Sequence, residues 1–228
     1  MIDSSILSEL TLTIGWAIYA PVLLWAIFNA PWVELFSDQR KQHLLFGTVF
    51  CLCLLWMIRK DFPSGISFHF IGMTAVTLLL NWPLAILAGL IAQLSLLVLG
   101  KQDFASFGLN AVLVTLIPVL IVHLCAEWVE RLKPENLFVY IFCSGFFPAA
   151  ITAIICSFTG LGLLWIDGIY AFPPWISEFI GMLLLVAFPE AFINGTVITA
   201  LVVFKPEWLE TFNRTRYLQA PWKDEKAD

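Results

Sequence analysis

The sequence predicts an all-α integral membrane protein of about seven transmembrane helices, and three observations carry that prediction. Of 228 residues, 60% are hydrophobic and 13% charged, with a mean hydropathy of +0.88. Soluble domains carry roughly 25% charged residues. Long stretches lack Asp, Glu, Lys and Arg altogether: Phe62 to Gly100, Phe104 to Ala126 and Asn136 to Ile166. Ten Trp suit the two interfacial belts, where an amphipathic ring sits at headgroup level. The length leaves room for one membrane domain, residues 1–204, and a polar tail, 205–228, expected to lie in water on the cytoplasmic side. A net charge of −5 and a pI near 5.1 give no support to nucleic-acid binding. The chain opens with Asp3 and Glu9 rather than a basic segment, so no signal peptide is indicated and Met1 is expected near the start of the mature protein.

The spans follow in order. The first runs from about Ile6 to Phe28, with Pro21 inside it and Ala26 and Ala30 as a small pair that lets another helix approach. The second runs from about Leu44 to Ile58, between Asp38-Gln39-Arg40-Lys41 and Arg59-Lys60-Asp61. A turn is expected at Phe62-Pro63-Ser64-Gly65. The uncharged run Phe62–Gly100 is 39 residues long. As helix it would extend about 58 Å, about twice a bilayer core. It is therefore expected to hold two spans, Ile66–Leu80 and Leu84–Leu99, broken at Asn81-Trp82-Pro83. The fifth span covers about Leu109 to Ala126. The sixth lies within Asn136–Ile166, where Pro148 or Gly160-Leu161-Gly162 is expected to bend or end it. The seventh lies between Trp175 and Phe204, has Glu178 near its start and is interrupted by Pro189.

Charge gives the orientation. With the N-terminus outside, the inner loops hold Arg40, Lys41, Arg131, Lys133, Lys205, Arg214, Arg216, Lys223 and Lys226, against Arg59, Lys60 and Lys101 outside. That asymmetry satisfies the positive-inside rule, and it sets His69 near the outer face.

His69 is the ionisable residue of the Phe62–Gly100 run. An imidazole is a common metal ligand and proton carrier, and an ionisable group in a membrane is a functional candidate; a backbone-bonded interfacial histidine is the equal alternative. Met73 lies one helical turn on, where a thioether would suit a soft ion or simply pack. Gln93 is an amide in mid-span, a helix bridge or a ligand orienter. Gly108 and Asn110 open the fifth span, with Asn110 a candidate cap. Glu190 and Asn194 stand one turn apart beside Pro189, open to proton relay, helix bridging or partner docking. His123 and Glu127 read as an interfacial pair. The five Cys read as small buried hydrophobes, with no CxxC or HxxxH spacing. No Walker A, GxSxG or HExxH motif is present, so no enzyme activity is expected and active transport would draw on a gradient or a partner.

Taken together, several of these stretches resemble the CbiM/NikM family, the substrate-binding membrane subunits of energy-coupling-factor cobalt and nickel transporters. They are Ser67, His69 and Gly72; Pro83; Gln93; Phe107-Gly108-Leu109-Asn110; Glu190 to Ala200; and Pro206-Glu207-Trp208-Leu209. The resemblance covers about residues 62 to 210. It implies a seven-span fold with an outward N-terminus in a bacterial cytoplasmic (inner) membrane, working with a transmembrane coupling subunit and ATPase subunits. It implies a transported nickel or cobalt ion rather than a permanently bound cofactor. His69 is then the metal ligand, and Ser67, Met73, Gln93, Gly108 and Asn110 shape the site. The family typically begins Met-His, and its N-terminal amine, second-residue nitrogen and second-residue imidazole join the later His. This chain has Ile2 there. That departure keeps two alternatives: the same fold with another metal or a small organic solute, and a non-transporting scaffold or regulator.

Overall fold

The structure, a computed structural model, describes residues 1–61, 65–169 and 176–218. The expected turn at 62–64, Trp175, the Glu178 side chain, Lys223 and Lys226 lie outside the described residues. The elements are a 3₁₀ turn at Ser4–Ile6, then α1 (Glu9–Asn29), α2 (Trp32–Ser37), α3 (Gln39–Met57), β1 (Arg59–Asp61), β2 (Ser67–His69) and α4 (Met73–Val98). There follow α5 (Phe104–Ala111), α6 (Ile117–Leu132), α7 (Leu137–Tyr140), α8 (Phe147–Ile166), α9 (Ile176–Phe204) and α10 (Arg214–Leu218). Among the described residues, five helical runs are long and apolar enough to cross a membrane: Glu9–Asn29, Met73–Val98, Phe104–Leu132, Leu137–Ile166 and Leu183–Phe204. The chain is a multi-pass helical membrane protein.

The helix starts obey capping chemistry. Ser8 accepts from Thr11 N at the head of α1, Asp38 from Arg40 N at α3, Asp103 from Ser106 N at α5 and Asn136 from Phe138 N at α7. Two π-helical segments, Val112–Leu116 and Ile141–Phe146, join α5 to α6 and α7 to α8. Each stands just before a proline, Pro118 and Pro148. Proline has no N–H to give the carbonyl four residues back, and the wider π turn absorbs the mismatch without ending the helix. The sixth span therefore remains one run, Leu137–Ile166, rather than ending at Pro148 or Gly160. Pro189 likewise does not interrupt the seventh: α9 is assigned without a break from Ile176 to Phe204.

The run Phe62–Gly100 departs from expectation at its start. Ser67–His69 is not helical; it pairs antiparallel with Arg59–Asp61, and the helix begins only at Met73, after Gly72 in the left-handed region at φ 69°. A side chain beyond hydrogen would resist that conformation, so Gly72 lets the extended segment turn into helix. Asn81 has φ 63° and ψ 167°, a non-helical break inside α4 at the expected position. Gln39–Met57 is a helix where the second span is expected, but it is not among the five runs long and apolar enough to cross a membrane.

α4 is the buried centre, with 72% of its apolar window buried, against 22% for α1. The other helices surround it. At the crossing of α1 and α5 each helix gives up a side chain, through Gly15 and Gly108, to the residue beside the other's glycine. A Cβ on Gly108 would lie 2.7 Å from the Trp16 ring, and one on Gly15 would lie 2.6 Å from the Leu109 backbone. Ala26 and Ala30 are buried on the same α1. At the end that carries Arg40, Lys41 and Arg131, residues 205–218 pack on the bundle rather than lying free. Leu209, Phe212 and Tyr217 are buried, Thr211 bonds Leu78 O and Tyr140, and Arg216 forms a two-pronged pair with Glu130.

Candidate functional site

The opposite end of the bundle is assembled by the first residues of the chain. The Met1 amine donates to Ser67 O at 2.8 Å, Ser67 N donates to Met1 O at 2.8 Å, and Asp3 N donates to Gly65 O at 2.8 Å. Ile2 thereby faces Ile66, the residue before β2, in an isolated antiparallel bridge. In an antiparallel pair the residue between two bonded neighbours turns its own N–H and C=O to the other side. There the Asn110 amide takes both: Ile2 N donates to its Oδ1 at 2.7 Å, and its Nδ2 donates to Ile2 O at 2.9 Å. Ser106 Oγ receives the second Nδ2 hydrogen at 3.2 Å, and Asp103 holds Ser106 while also accepting from Ser4 N. Asp167 ties the end of α8 to Ser8 and Thr11 at the start of α1.

His69 ends β2 and is buried. Its Nδ1 lies 2.8 Å from Phe70 O. A carbonyl only accepts, so Nδ1 carries the hydrogen, and the Nε2 lone pair meets no hydrogen-bond donor among the described residues. Trp56 stacks obliquely on the imidazole, ring centres 5.5 Å apart, while its indole N–H donates to Ile71 O. His69, Met1 and Ile2 line a cavity of about 320 Å³ whose far wall is Leu113 and Val114 of the first π segment, Cys156, Ser157 and Gly160 of α8, and Glu190 of α9. Burial, then the neighbouring Arg59 charge, lowers the Met1 amine to about 5. Burial, then the charge of that amine, lowers His69 to about 3. Both groups are thus neutral at neutral pH, the state in which nitrogen can ligate a transition metal.

Glu190 and Asn194 form a second buried polar assembly. The Glu190 carboxylate accepts from Ile71 N at 2.9 Å and Gly72 N at 2.7 Å. Asn194 Oδ1 accepts from Ala75 N at 2.9 Å, and its Nδ2 donates to the Glu190 carboxylate and backbone. The first turn of a helix leaves its amides without partners, and here two side chains of α9 supply them for α4.

The remaining sequence candidates separate. Ser67 uses its backbone for strand pairing and its hydroxyl on Asp61. Met73 is buried in the core, away from the cavity wall, and is not one helical turn from His69, because His69 is in a strand. Gln93 donates to Phe107 O and bridges α4 to α5. Gly108 serves the α1–α5 crossing, and Asn110 lies inside α5 rather than capping it, a task Asp103 performs. His123 and Glu127 pair at 3.3 Å. Trp56, Ser157, Cys156 and Gly160 join the site although no motif in the sequence marks them as site residues. The i, i+1, i+4 spacing on α8 was a signal that this face makes room for something. Among the described residues, no group of three or more His, Cys, Asp or Glu side chains is arranged to hold a metal ion.

The architecture is that of a polytopic membrane protein that folds its first residues against a half-open cavity beside a buried histidine. A family model described as "cobalt uptake substrate-specific transmembrane region", CbiM, matches residues 2–208, and the chain belongs to that family. A truncated transition metal transporter of known crystal structure shares the fold with TM-score 0.67 and 16% identity, over 89% of this chain and 98% of that one. Another transition metal transporter structure does so with TM-score 0.66 and 18% identity, over 89% and 92%. No curated protein matches the chain.

Proposed function

We propose that this protein is the membrane-embedded substrate-specificity subunit of an energy-coupling-factor importer for a transition metal of the cobalt and nickel class. The observation that carries the reading is His69: a buried imidazole whose Nδ1–H is fixed on Phe70 O and whose Nε2 has no hydrogen-bond partner among the described residues, at a half-open cavity beside the Met1 amine. The metal is the cargo and His69 its ligand from the protein. Seven spans follow if Gln39–Met57 crosses and Asn81 divides α4 into two. With the N-terminus outside, the cavity faces the side from which metal arrives, and the basic end meets the cytoplasm of a bacterial cell. The chain carries no nucleotide-binding motif, so a coupling subunit and ATPases would supply the energy.

The test is equilibrium dialysis of purified protein against nickel and cobalt salts and complexes, comparing wild type with His69→Ala. The expected result is metal retention that falls at least ten-fold in the variant. Equal stoichiometry in the two proteins would remove His69 from the site. Mild-detergent purification is expected to recover a coupling subunit and an ATPase pair, and their repeated absence would favour a scaffold.

A further inference from the structure

We propose that the cavity takes its metal inside a small organic chelate, with the chelator filling the cavity and His69 Nε2 closing the coordination sphere. This rests on the metal-import reading above and specifies the form of its substrate.

The first argument is a count of donors. A tetrahedral or square-planar metal takes about four. The carboxylate and the thiol at this cavity already have partners, and Ser157 adds only a hydroxyl. Both Glu190 oxygens accept hydrogen bonds, from Ile71 N and from Gly72 N and Asn194. The Cys156 thiol lies 3.0 Å from Leu113 O, and the Met1 amine donates to Ser67 O. Ile2 adds only carbon, and its backbone nitrogen is held by Asn110. The neutral Met1 amine gives Ser67 O one hydrogen and keeps its lone pair, so it and His69 Nε2 offer two nitrogen donors, short of four, and the others must arrive with the metal.

The second argument is space. About 320 Å³ corresponds to about ten waters at about 30 Å³ each, at the lower end of pockets for small organic ligands. A bare ion needs its donors close around it, not a volume of this size. The third argument is the wall. Leu113, Val114, Leu161 and Leu164 line the cavity. Hydrocarbon cannot replace the hydration shell of a divalent cation, and the desolvation would go uncompensated. It does suit the carbon exterior of a chelate whose nitrogen and oxygen donors point inward to the metal.

Gly160 offers a test that spares the fold. A Cβ there meets only Ile2 Cδ1, at 3.8 Å, so Gly160→Leu fills the cavity without a backbone clash. The full chain in detergent is dialysed against nickel chloride, and against nickel mixed one to one with ¹⁴C-labelled L-histidine or ¹⁴C-labelled citrate, reading metal and label together. The expected result is that at least one chelate is retained at least ten-fold more tightly than nickel chloride, with one chelator per nickel, and that Gly160→Leu loses this retention while melting like wild type. Nickel chloride binding as tightly as either mixture, with no label retained, would overturn the chelate and leave the metal reading standing. Retention of a chelate unchanged by Gly160→Leu would overturn the cavity as its seat. No retention of nickel in any form, together with none of cobalt on equilibrium dialysis, would overturn the metal reading itself.

Discussion

Two buried polar clamps sit on either side of His69, and they differ in what they hold. Glu190 and Asn194 hold amides at the start of α4, the central helix of the bundle. Asn110 holds the chain's own beginning, through both backbone groups of Ile2. The first clamp fixes one helix against another. The second fixes the first residues of the chain, Met1 and Ile2, which line a cavity. The difference teaches how to weigh a polar side chain in a membrane protein. A carboxylate or amide inside a span invites a reading as ligand or proton carrier. Here every hydrogen-bonding atom of the Glu190 carboxyl and the Asn194 amide is already engaged with backbone or with the other side chain. The ring nitrogen Nε2 of His69, at the end of a strand, meets no hydrogen-bond donor among the described residues.

That contrast can be broken or sharpened by substitution. Glu190→Ala leaves Ile71 N and Gly72 N without their partner, and a buried unpaired donor costs about 1–3 kcal/mol. A loss of roughly 2–6 kcal/mol is expected from the two, read as a lower midpoint in thermal unfolding in detergent. Glu190→Gln keeps one acceptor and should lie between. If both variants melt like wild type, the clamp on α4 is not needed.

Acidification is the next largest effect. The Met1 amine is lowered from 8.0 to about 5, so between those values the unfolded chain takes up a proton that the folded one refuses. Its contribution is complete above pH 8 and is lost as pH falls toward 5, by up to about 4 kcal/mol at about 1.36 kcal/mol per unit. Denaturant unfolding should therefore show stability rising with pH across that window, and acetylation of the amine should flatten the slope. A slope unchanged by acetylation would place the amine in water.

Asn110→Ala should cost less, about 1–3 kcal/mol, but should separate the two clamps by function. Hydrogen exchange at Ile2 should accelerate and metal retention should fall, whereas Glu190→Gln should leave exchange at Ile2 unchanged. The smallest effect is expected at the far end. Arg216→Ala removes a two-pronged but partly exposed pair with Glu130 and should cost about 0.2–1 kcal/mol, with no change in metal retention.

Much of the fold was legible in the sequence. Hydropathy and the charge-free runs marked the helices, and Asn81-Trp82-Pro83 marked the break in α4. Pro148 marks an irregular π turn without ending its span, and Pro189 does not interrupt its helix, because a π turn or a long packed helix accommodates a proline without stopping. The start of α4 was misread because an uncharged apolar run has no period to distinguish strand from helix; backbone pairing with Arg59–Asp61 decided it. The tail was read as free because its residues are polar on average, while Leu209, Phe212 and Tyr217 are buried against the bundle.

The sequence by itself determined that this chain lives in a membrane, where its helices lie and that His69 is a candidate ligand, because transfer of apolar side chains from water is a sum over local segments. Only the tertiary structure decided which polar groups are free to bind anything. Asn110 meets Ile2 across 108 residues, and Glu190 meets Gly72 across 118. Whether a donor is available depends on what its atoms already touch, and in a membrane interior every backbone group must be touched by something.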